Sequence, residues 1–266
     1  MSRLILPTFY VPDRRLVPFG ARINWSHPLA KGLRFFAVAR PNGSFVDLVS
    51  GQAGSSATLS SVIYPDKDIG LGVANTATAA FNPMPSINFN NPISALVQAR
   101  VNGTGNYCDL LANSSYTSET NNQGWGIQKR PSTDGKPGLC IYTFNNNGVS
   151  TYAFQSSKNT ETLAQGAWQV GYTNDGTTRR IYLNGNIDNS TATGVTMALP
   201  STGRVFLGVL QGWSTFGAIW NRILLPSEYR EMWRNPWQIM APLRPTFVDA
   251  GASITWHTST VKVRTA

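Results

Sequence analysis

WQVGYTNDGTTRRIYLNGN, residues 168–186, is the stretch of sequence that decides the fold class. Trp168, Val170 and Tyr172 occupy every second position, so a strand formed here presents all three side chains on one face. Apolar residues repeat this spacing in 181–183, after an Asn-Asp-Gly sequence that tolerates the positive φ of a tight turn. The stretch therefore predicts an antiparallel β-hairpin with one apolar face.

Short β-prone runs alternate with turn-forming clusters along most of the remaining chain. Clusters rich in Asn, Gly and Pro separate the runs, which is the pattern of an antiparallel sandwich or barrel. Only 13% of the 266 residues are charged, and no repeat of 20 to 50 residues is visible, so one all-β domain is expected rather than a solenoid. The runs are 33–39, 57–64, 93–101, 108–112, 124–129, 139–144, 151–154, 167–173, 179–183 and 205–210.

One short helix is predicted after the last run. Pro226 suits the first helical turn, Glu228 favours the positive end of the helix dipole, and Asn235-Pro236 ends the helix. Leu225, Tyr229, Met232 and Trp233 lie near one face of this segment. We therefore expect an amphipathic helix that covers the sandwich.

Extended arms are predicted on both sides of the domain. Residues 1–24 are apolar but contain three prolines at positions 7, 12 and 18, which exclude a helix and a central strand. Residues 243–266 end in an alternating sequence typical of an exposed strand that can pair with another subunit. The expected organisation is an N-terminal arm 1–24, a jelly-roll body 25–242 and a C-terminal tail 243–266.

The net charge of +9 is concentrated at the two ends. Residues 1–40 carry seven basic side chains and one acidic, 41–220 carry nine of each, and 221–266 carry six basic and three acidic. Basic ends favour contact with an acidic partner, although general solubility explains them equally well. The candidate subunit-contact residues in the arms are Phe9, Tyr10, Arg14, Arg15, Trp256, Lys262 and Arg264.

Several motifs follow one another in a fixed order from the hairpin to the helix. They are Trp168-Gln-Val-Gly-Tyr-Thr-Asn-Asp-Gly176, Ile181-Tyr-Leu-Asn-Gly185, Phe206-Leu-Gly208, Phe216-Gly-Ala-Ile219 and Trp220-Asn-Arg-Ile-Leu224. In order and spacing they resemble the laminin-G-like, or concanavalin-A-like, jelly-roll family over residues 85–234. The resemblance implies an antiparallel β-sandwich jelly roll with one short C-terminal helix.

A narrower resemblance concerns the segments that frame this body. Trp25-Ser-His-Pro-Leu-Ala-Lys-Gly-Leu33, Asp47-Leu-Val-Ser-Gly51 and Asn235-Pro-Trp-Gln-Ile-Met-Ala-Pro242 look like the segments around jelly rolls of tailed bacteriophage proteins. This resemblance implies a non-enzymatic virion structural protein, which decorates or cements the head or belongs to the head-tail region. Its partners would be capsid or other virion proteins and further copies of itself, after assembly in the host cytoplasm.

The alternative function is a carbohydrate-binding receptor module on a tail or head fibre, which recognises a bacterial surface glycan. Sugar binding needs exposed aromatic rings beside hydrogen-bonding groups. Trp125, between two glycines, and Trp213, in Gln-Gly-Trp-Ser, are the candidates. Packed structural tryptophans explain the same pattern.

Catalytic chemistry is not indicated by the sequence. Glycoside hydrolases need paired carboxylates, but the four glutamates, at positions 119, 161, 228 and 231, form no Glu-x-Asp-x-Glu motif. Glu228 and Glu231 are expected to be solvated on the helix. His27 and His257 each lack a neighbouring Cys or second His, so the sequence does not indicate a catalytic triad or a metal centre at either histidine. A lyase or hydrolase of this fold is the weakest alternative.

Other ligand classes have limited support. Calcium could be held by Asp109, Asp175 and Asp188, but Trp220 occupies the position at which the jelly-roll family carries a further Asp.

Cys108 and Cys140 are interpreted as buried apolar residues. The basic residues form pairs rather than runs, so sequence-specific nucleic-acid binding is not expected. Neither a signal peptide nor a membrane span is expected.

Overall fold

The computed structural model shows an all-β chain whose described part comprises residues 22–40, 43–55, 62–66, 70–74, 79–81, 92–101, 108–115, 123–130, 138–144, 150–155, 167–191, 204–208 and 212–241. Helix α1 spans Pro226–Arg234, and 3-10 turns span Pro28–Ala30 and Pro236–Ile239. The described strands are β1 Leu33–Ala39, β2 Phe45–Asp47, β3 Val62–Asp66, β4 Gly70–Ala74, β5 Ala79–Phe81, β6 Ile93–Val101, β7 Cys108–Ser115, β8 Gln123–Arg130, β9 Gly138–Phe144, β10 Ser150–Gln155, β11 Ala167–Asn174, β12 Arg179–Leu183, β13 Asn186–Thr191, β14 Val205–Leu207 and β15 Gly212–Trp220.

These strands form two antiparallel sheets. The first has nine strands, with seven in the order β13-β12-β11-β6-β15-β1-β2, while β4 pairs with both β15 and β3. The second has six strands in the order β10-β9-β8-β7-β14-β5. The predicted all-β sandwich is therefore confirmed, with a single short α-helix in the part of the chain that is described.

The main core lies between the two sheets. Phe35 of β1 meets Phe81 of β5 edge to face, with ring centroids 5.0 Å apart. Tyr172 and Ile181 are completely buried in this core, as the alternation in the hairpin predicts. Val170 pairs with Leu183 and Tyr172 with Ile181, which fixes the register of the hairpin.

The hairpin turns follow the chemistry of their residues. Asp175 Oδ1 accepts hydrogen bonds from the backbone N–H groups of Thr177, at 2.9 Å, and Thr178, at 2.6 Å. The following tight turn places Asn184 at φ 49° and Gly185 at φ 78°, so both central residues adopt the left-handed conformation that a two-residue hairpin loop requires. Both turns are where the sequence predicts them.

A second core covers the outer face of the nine-stranded sheet. Phe36 and Phe216 stack with ring centroids 5.6 Å apart, and Trp237 packs edge to face against Phe216. The Trp220 indole is completely buried and donates to the carbonyl of Leu29 at 2.7 Å. The segments 22–33 and 223–241 thus pack on the sheet as part of the body.

Helix α1 is attached to this face by Tyr229. Its ring stacks on Tyr182 at 3.9 Å, and its hydroxyl donates to the carbonyl of Tyr172 at 2.8 Å. The ring occupies the space above Gly171, where an added Cβ would come within 2.4 Å of it. A side chain larger than hydrogen at position 171 would therefore separate the helix from the sheet.

The predicted elements agree only in part with the observed ones. The run 57–64 overlaps β3 only at its end, and the rest of that run lies outside the described residues. Strands β2, β4, β5 and β13 are not among the predicted runs, since three of them are short or glycine-containing and β13 is largely polar. Strand β15 is also absent from those runs, and only its Phe216-Gly-Ala-Ile219 motif was recognised in the sequence. The helix is confirmed at Pro226–Arg234, but of its four predicted apolar residues Tyr229 and Met232 are buried whereas Leu225 and Trp233 are exposed. The thiol of Cys140 is buried, as expected.

Substitution of Gly171 by Ala is expected to lower the free energy of unfolding by about 1–3 kcal/mol, because the new methyl group overlaps the Tyr229 ring. Urea denaturation followed by tryptophan fluorescence measures the change. In a Tyr229→Leu background the same substitution should cost less, since the aromatic ring is gone. Equal losses in both backgrounds would contradict the proposed overlap.

Candidate functional site

A surface cleft opens at the end of the nine-stranded sheet. It has a volume of about 600 Å³ and lies between the Pro28–Ala30 turn, the start of β1 and the turn after β15. Trp25, His27, Lys31, Arg34 and Asn221 line it. The Trp25 side chain is 58% exposed, the largest exposed aromatic group among the described residues. The cleft thus combines an aromatic surface with polar and cationic groups.

A tight turn holds Trp25 at the surface. Asn24 Oδ1 accepts hydrogen bonds from the Ser26 hydroxyl, at 2.6 Å, and from the Ser26 N–H, at 3.2 Å. The Asn24 N–H donates to the carbonyl of Ile239 at 2.9 Å, which anchors the turn to the body. Because both ends of the turn are fixed, Trp25 points outward without belonging to either core.

His27 forms one wall of the cleft in a defined tautomer. Its Nδ1 accepts a hydrogen bond from the N–H of Leu29 at 3.2 Å, at the start of the Pro28–Ala30 turn. In the neutral imidazole the proton is then on Nε2. The ring can therefore offer a donor to a bound molecule.

A β-bulge directs Arg34 into the cleft. In the pairing of β1 with β15, Leu33 faces Trp220 and Phe35 faces Ile219, so Arg34 is the extra residue. A bulge of this kind re-aims a side chain at the rim of a sheet. Arg34 is the exposed residue of β1, whose other six residues are buried.

Asn221 orients the Arg34 guanidinium. With its amide oriented to suit its neighbours, the Asn221 nitrogen donates to the Gly32 carbonyl at 2.8 Å, and its oxygen accepts from Nη2 and Nε of Arg34 at 2.9 and 3.2 Å. Gly32 has φ 76°, and a Cβ there would lie 2.7 Å from the Asn221 amide. Close approach at Gly32 therefore permits the contact that holds Arg34.

Arg222 supports the floor of the cleft. Its Nε donates to the Lys31 carbonyl at 2.7 Å, and its Nη2 donates to the Pro28 carbonyl at 3.3 Å. The other edge forms two hydrogen bonds with Glu228, at 2.7 and 2.8 Å. One side chain thus links the cleft turn to helix α1.

Glu228 is a structural residue, so the expectation that it is solvated was wrong. Its carboxylate is 16% exposed, and it accepts the N–H of Leu225, the N-cap residue of α1, at 2.7 Å. Burial acts to raise the pKa of Glu228, but hydrogen bonds from Arg222 and Leu225 and the Arg222 charge outweigh it, so the pKa is lowered. Glu231 is exposed on the helix, as expected.

The two tryptophans suggested as sugar platforms lie elsewhere. Trp125 is completely buried in the core between the sheets, so its ring presents no surface to a ligand and that prediction fails for reasons of packing. Trp213 is half-buried near the start of β15, with the Arg100 guanidinium 5.6 Å from the centre of its ring. Part of the Trp213 surface is therefore occupied by an intramolecular cation–π contact.

The aspartates considered for calcium do not converge. Asp109 lies on β7 of the six-stranded sheet, where Gln128 donates to it at 2.9 Å and burial raises its pKa. Asp175 and Asp188 belong to the nine-stranded sheet, at the hairpin turn and on β13. In the described ranges no three His, Cys, Asp or Glu residues form a group that could hold a metal ion.

The proposed contact residues of the arms, namely Phe9, Tyr10, Arg14, Arg15, Trp256, Lys262 and Arg264, lie outside the described residues, as does His257. Of the basic pairs in the sequence, Lys129-Arg130 is buried, and so is Arg179 of the pair Arg179-Arg180. None of the described helices is long and apolar enough to cross a membrane.

Trp25 was not identified as a site residue from the sequence. In the sequence, the Trp25–Leu33 stretch resembles only a frame of the jelly roll, and its composition does not separate a packed tryptophan from an exposed one. A sequence signal does exist, because Asn-Trp-Ser-His-Pro contains an Asn whose side chain can form a turn two residues on. Such a turn places the intervening aromatic residue at the surface.

The structure is similar to β-sandwich domains of known proteins, although no family model matches the chain and no curated protein matches it in sequence. The binding domain of Paraclostridial Mosquitocidal Protein 1 aligns with a TM-score of 0.55 and 16% identity, covering 77% of this chain and 52% of that one. The botulinum neurotoxin serotype G binding domain aligns with a TM-score of 0.53 and 14% identity, covering 76% and 50%.

A sialidase of Trypanosoma rangeli, solved with a difluorinated nononic acid, aligns with a TM-score of 0.51 and 16% identity, covering 79% of this chain and 33% of that one. The chain thus spans between a third and about half of the length of these structures. At such identities the likeness concerns the fold, and it agrees with the expected jelly roll.

Substitution of Glu228 by Gln is expected to lower stability at pH 7 by about 1–2 kcal/mol, since it weakens charge-assisted hydrogen bonds. The lowered pKa of Glu228 means that its contribution is complete above the ordinary glutamate pKa of about 4.3 and is lost as the pH falls through the folded-state pKa. Urea unfolding at pH 7 and pH 3 should show a larger difference between wild type and variant at the higher pH. Glu231→Gln, on the exposed face of the same helix, is the control and should have little effect at either pH.

Proposed function

We propose that this chain is a non-enzymatic carbohydrate-binding receptor module that binds its glycan in the cleft at Trp25. The observation that carries the proposal is the exposed Trp25 ring, 58% accessible, at the mouth of a cleft with oriented hydrogen-bonding groups. An exposed aromatic ring beside a few fixed polar groups is the usual composition of a sugar site.

The polar groups are arranged before any ligand arrives. Asn24 holds the Trp25 turn, Asn221 orients Arg34, and the Leu29 N–H fixes the tautomer of His27. A site with fixed donors loses less conformational entropy when it binds a hydroxyl-rich ligand. These contacts favour a binding function for the cleft over an accidental surface depression.

The fold supports the same proposal. Two of the similar structures are described as binding domains of toxins, and this chain shares their sandwich architecture. The position of the cleft also fits, because loops and turns at the end of a sandwich carry side chains that the rigid sheets hold in place.

Replacement of Trp25 by Ala is expected to weaken glycan binding tenfold or more, which corresponds to about 1.4 kcal/mol of lost binding energy. A glycan array identifies a ligand for the wild-type chain, and isothermal titration then measures the affinity of each variant. Trp233→Ala is the matched control, because Trp233 is 38% exposed on α1 and does not line the cleft.

Trp213→Ala separates the two candidate sugar surfaces. If the cleft is the site, this variant should bind like the wild type. Loss of binding in Trp213→Ala with normal binding in Trp25→Ala would instead place the site at β15. A wild-type chain that binds no glycan of a broad bacterial array would refute the proposal.

A second candidate function is attachment in a bacteriophage virion through the arms, and one observation favours it. Ile23 and Met240 form a β-bridge, and the Ala241 N–H donates to the Arg22 carbonyl at 2.8 Å. The two points at which the arms join the body are therefore adjacent. Arms that start side by side, both with an excess of basic residues, could bind neighbouring copies or capsid proteins together while the body remains exposed.

Deletion of residues 1–21 is the test of this second candidate. Arg22 is retained because its carbonyl accepts the bond from Ala241. We expect the truncated chain to keep its fold and any glycan binding but to be lost from assembled particles, as quantified by mass spectrometry of purified virions. Incorporation at the wild-type level would contradict a role of the N-terminal arm in attachment.

A further inference from the structure

We infer that the glycan taken by the Trp25 cleft is acidic, and that Arg34 and Lys31 recognise its anionic group. This inference rests on the proposed function, since it names the ligand class of the same cleft. It arises from the charge of the lining and from the way in which Arg34 is held.

The lining of the cleft carries positive charge without a compensating carboxylate. Lys31 and Arg34 both line it and both are exposed, while the lining includes neither Asp nor Glu. Among the described residues, neither Lys31 nor Arg34 forms an ion pair with an acidic side chain. Glu228 below the floor is itself paired with Arg222, so the cleft attracts anions.

Arg34 is held in a geometry suited to an anionic group. A guanidinium has five N–H donors in a fixed plane, and Asn221 takes two of them, on Nε and Nη2. Three donors remain, including both on Nη1, and parallel N–H groups of this kind bind a carboxylate or sulfate through two hydrogen bonds. Because Asn221 fixes the plane, this recognition has a defined direction.

The position of Arg34 argues for function rather than stability. It is the extra residue of a bulge, and it contributes to neither hydrophobic cluster. Its hydrogen bonds go to Asn221, which lines the same cleft as Trp25. The bulge therefore places a cation in the cleft that the aromatic ring also lines, so that a sugar stacked on the ring can direct an anionic group toward Arg34.

A single saccharide fits the cleft better than a nucleic acid strand. Strand binding relies on successive aromatic rings along a track of cations, whereas Trp25 is the exposed aromatic ring of this cleft. One ring with two cations matches one sugar unit that carries one charge. The cleft volume of about 600 Å³ lies in the range of small-molecule sites.

Titration of the full chain with three oligosaccharides of equal length tests the inference. The probes are a neutral glucose oligomer, a uronic acid oligomer, and a sulfated form of the neutral oligomer. We expect wild-type chain to prefer one of the two acidic probes at least tenfold over the neutral probe, and the two acidic arms separate carboxylate from sulfate recognition.

The variants Arg34→Gln and Lys31→Gln should each reduce binding of the preferred acidic probe, by about tenfold and threefold, and should weaken the neutral probe much less. Asn221→Ala, a change of a positioning residue, should weaken the acidic probe more than the neutral probe, because Arg34 keeps its charge but loses its orientation. Arg230→Gln removes an exposed charge of α1 outside the cleft and serves as the control.

The outcomes separate the two proposals. If Trp25→Ala abolishes binding while Arg34→Gln leaves the preference for acidic probes intact, the cleft binds glycan but the inferred charge recognition is wrong. If none of the three oligosaccharides binds, and a single-stranded oligonucleotide binds in a Trp25-dependent manner, both the proposed saccharide ligand and its acidic class are refuted.

Discussion

The outer face of the nine-stranded sheet depends on the hydrogen bonds of the Arg222 guanidinium. This group contacts the carbonyls of Pro28 and Lys31 in the cleft turn and the carboxylate of Glu228 in helix α1, so it joins two segments that are far apart in sequence. Without it, the turn that forms the cleft and the helix that closes the second core would have no polar connection at this point. A partly buried cation with several acceptors is stable only when each of them is correctly placed, so this one residue specifies the relative position of both segments.

The central strands of the nine-stranded sheet are apolar on both faces, and this property follows from the two cores. In β1, Phe35 and Ala37 face the other sheet, whereas Phe36 and Val38 face the framing segments. A strand that is buried on both sides has no polar alternation, which is why Leu33–Ala39 is almost continuously apolar. The frame is thus required for solubility of the body, since without it an extended apolar surface would face water.

The sequence predicts the features that depend on local patterns. The hairpin at residues 168–186, its two turns and helix α1 all follow from alternation, turn residues and capping residues that lie close together in the chain. Strands of three residues such as β2 and β5 carry too little pattern to be recognised. Trp125 and Trp25 show why the sequence does not predict the site, because the burial of each side chain is decided by elements that are distant in the chain. The flanking glycines of Trp125 suggest ligand access, but its side chain is buried in the core between the two sheets, whereas Trp25 stays outside because of a turn anchored to Ile239.

The bulge at Arg34 separates what the strand does for the fold from what it does at the surface. Six of the seven residues of β1 are buried in the two cores, whereas the bulge residue Arg34 is exposed and packs in neither. Mutation at this one codon can therefore alter the chemistry of the cleft while the packing of the sandwich stays as it is. A lineage that carries this sandwich can vary the surface chemistry of the cleft by single-residue changes at the bulge, without first acquiring compensating changes in its interior.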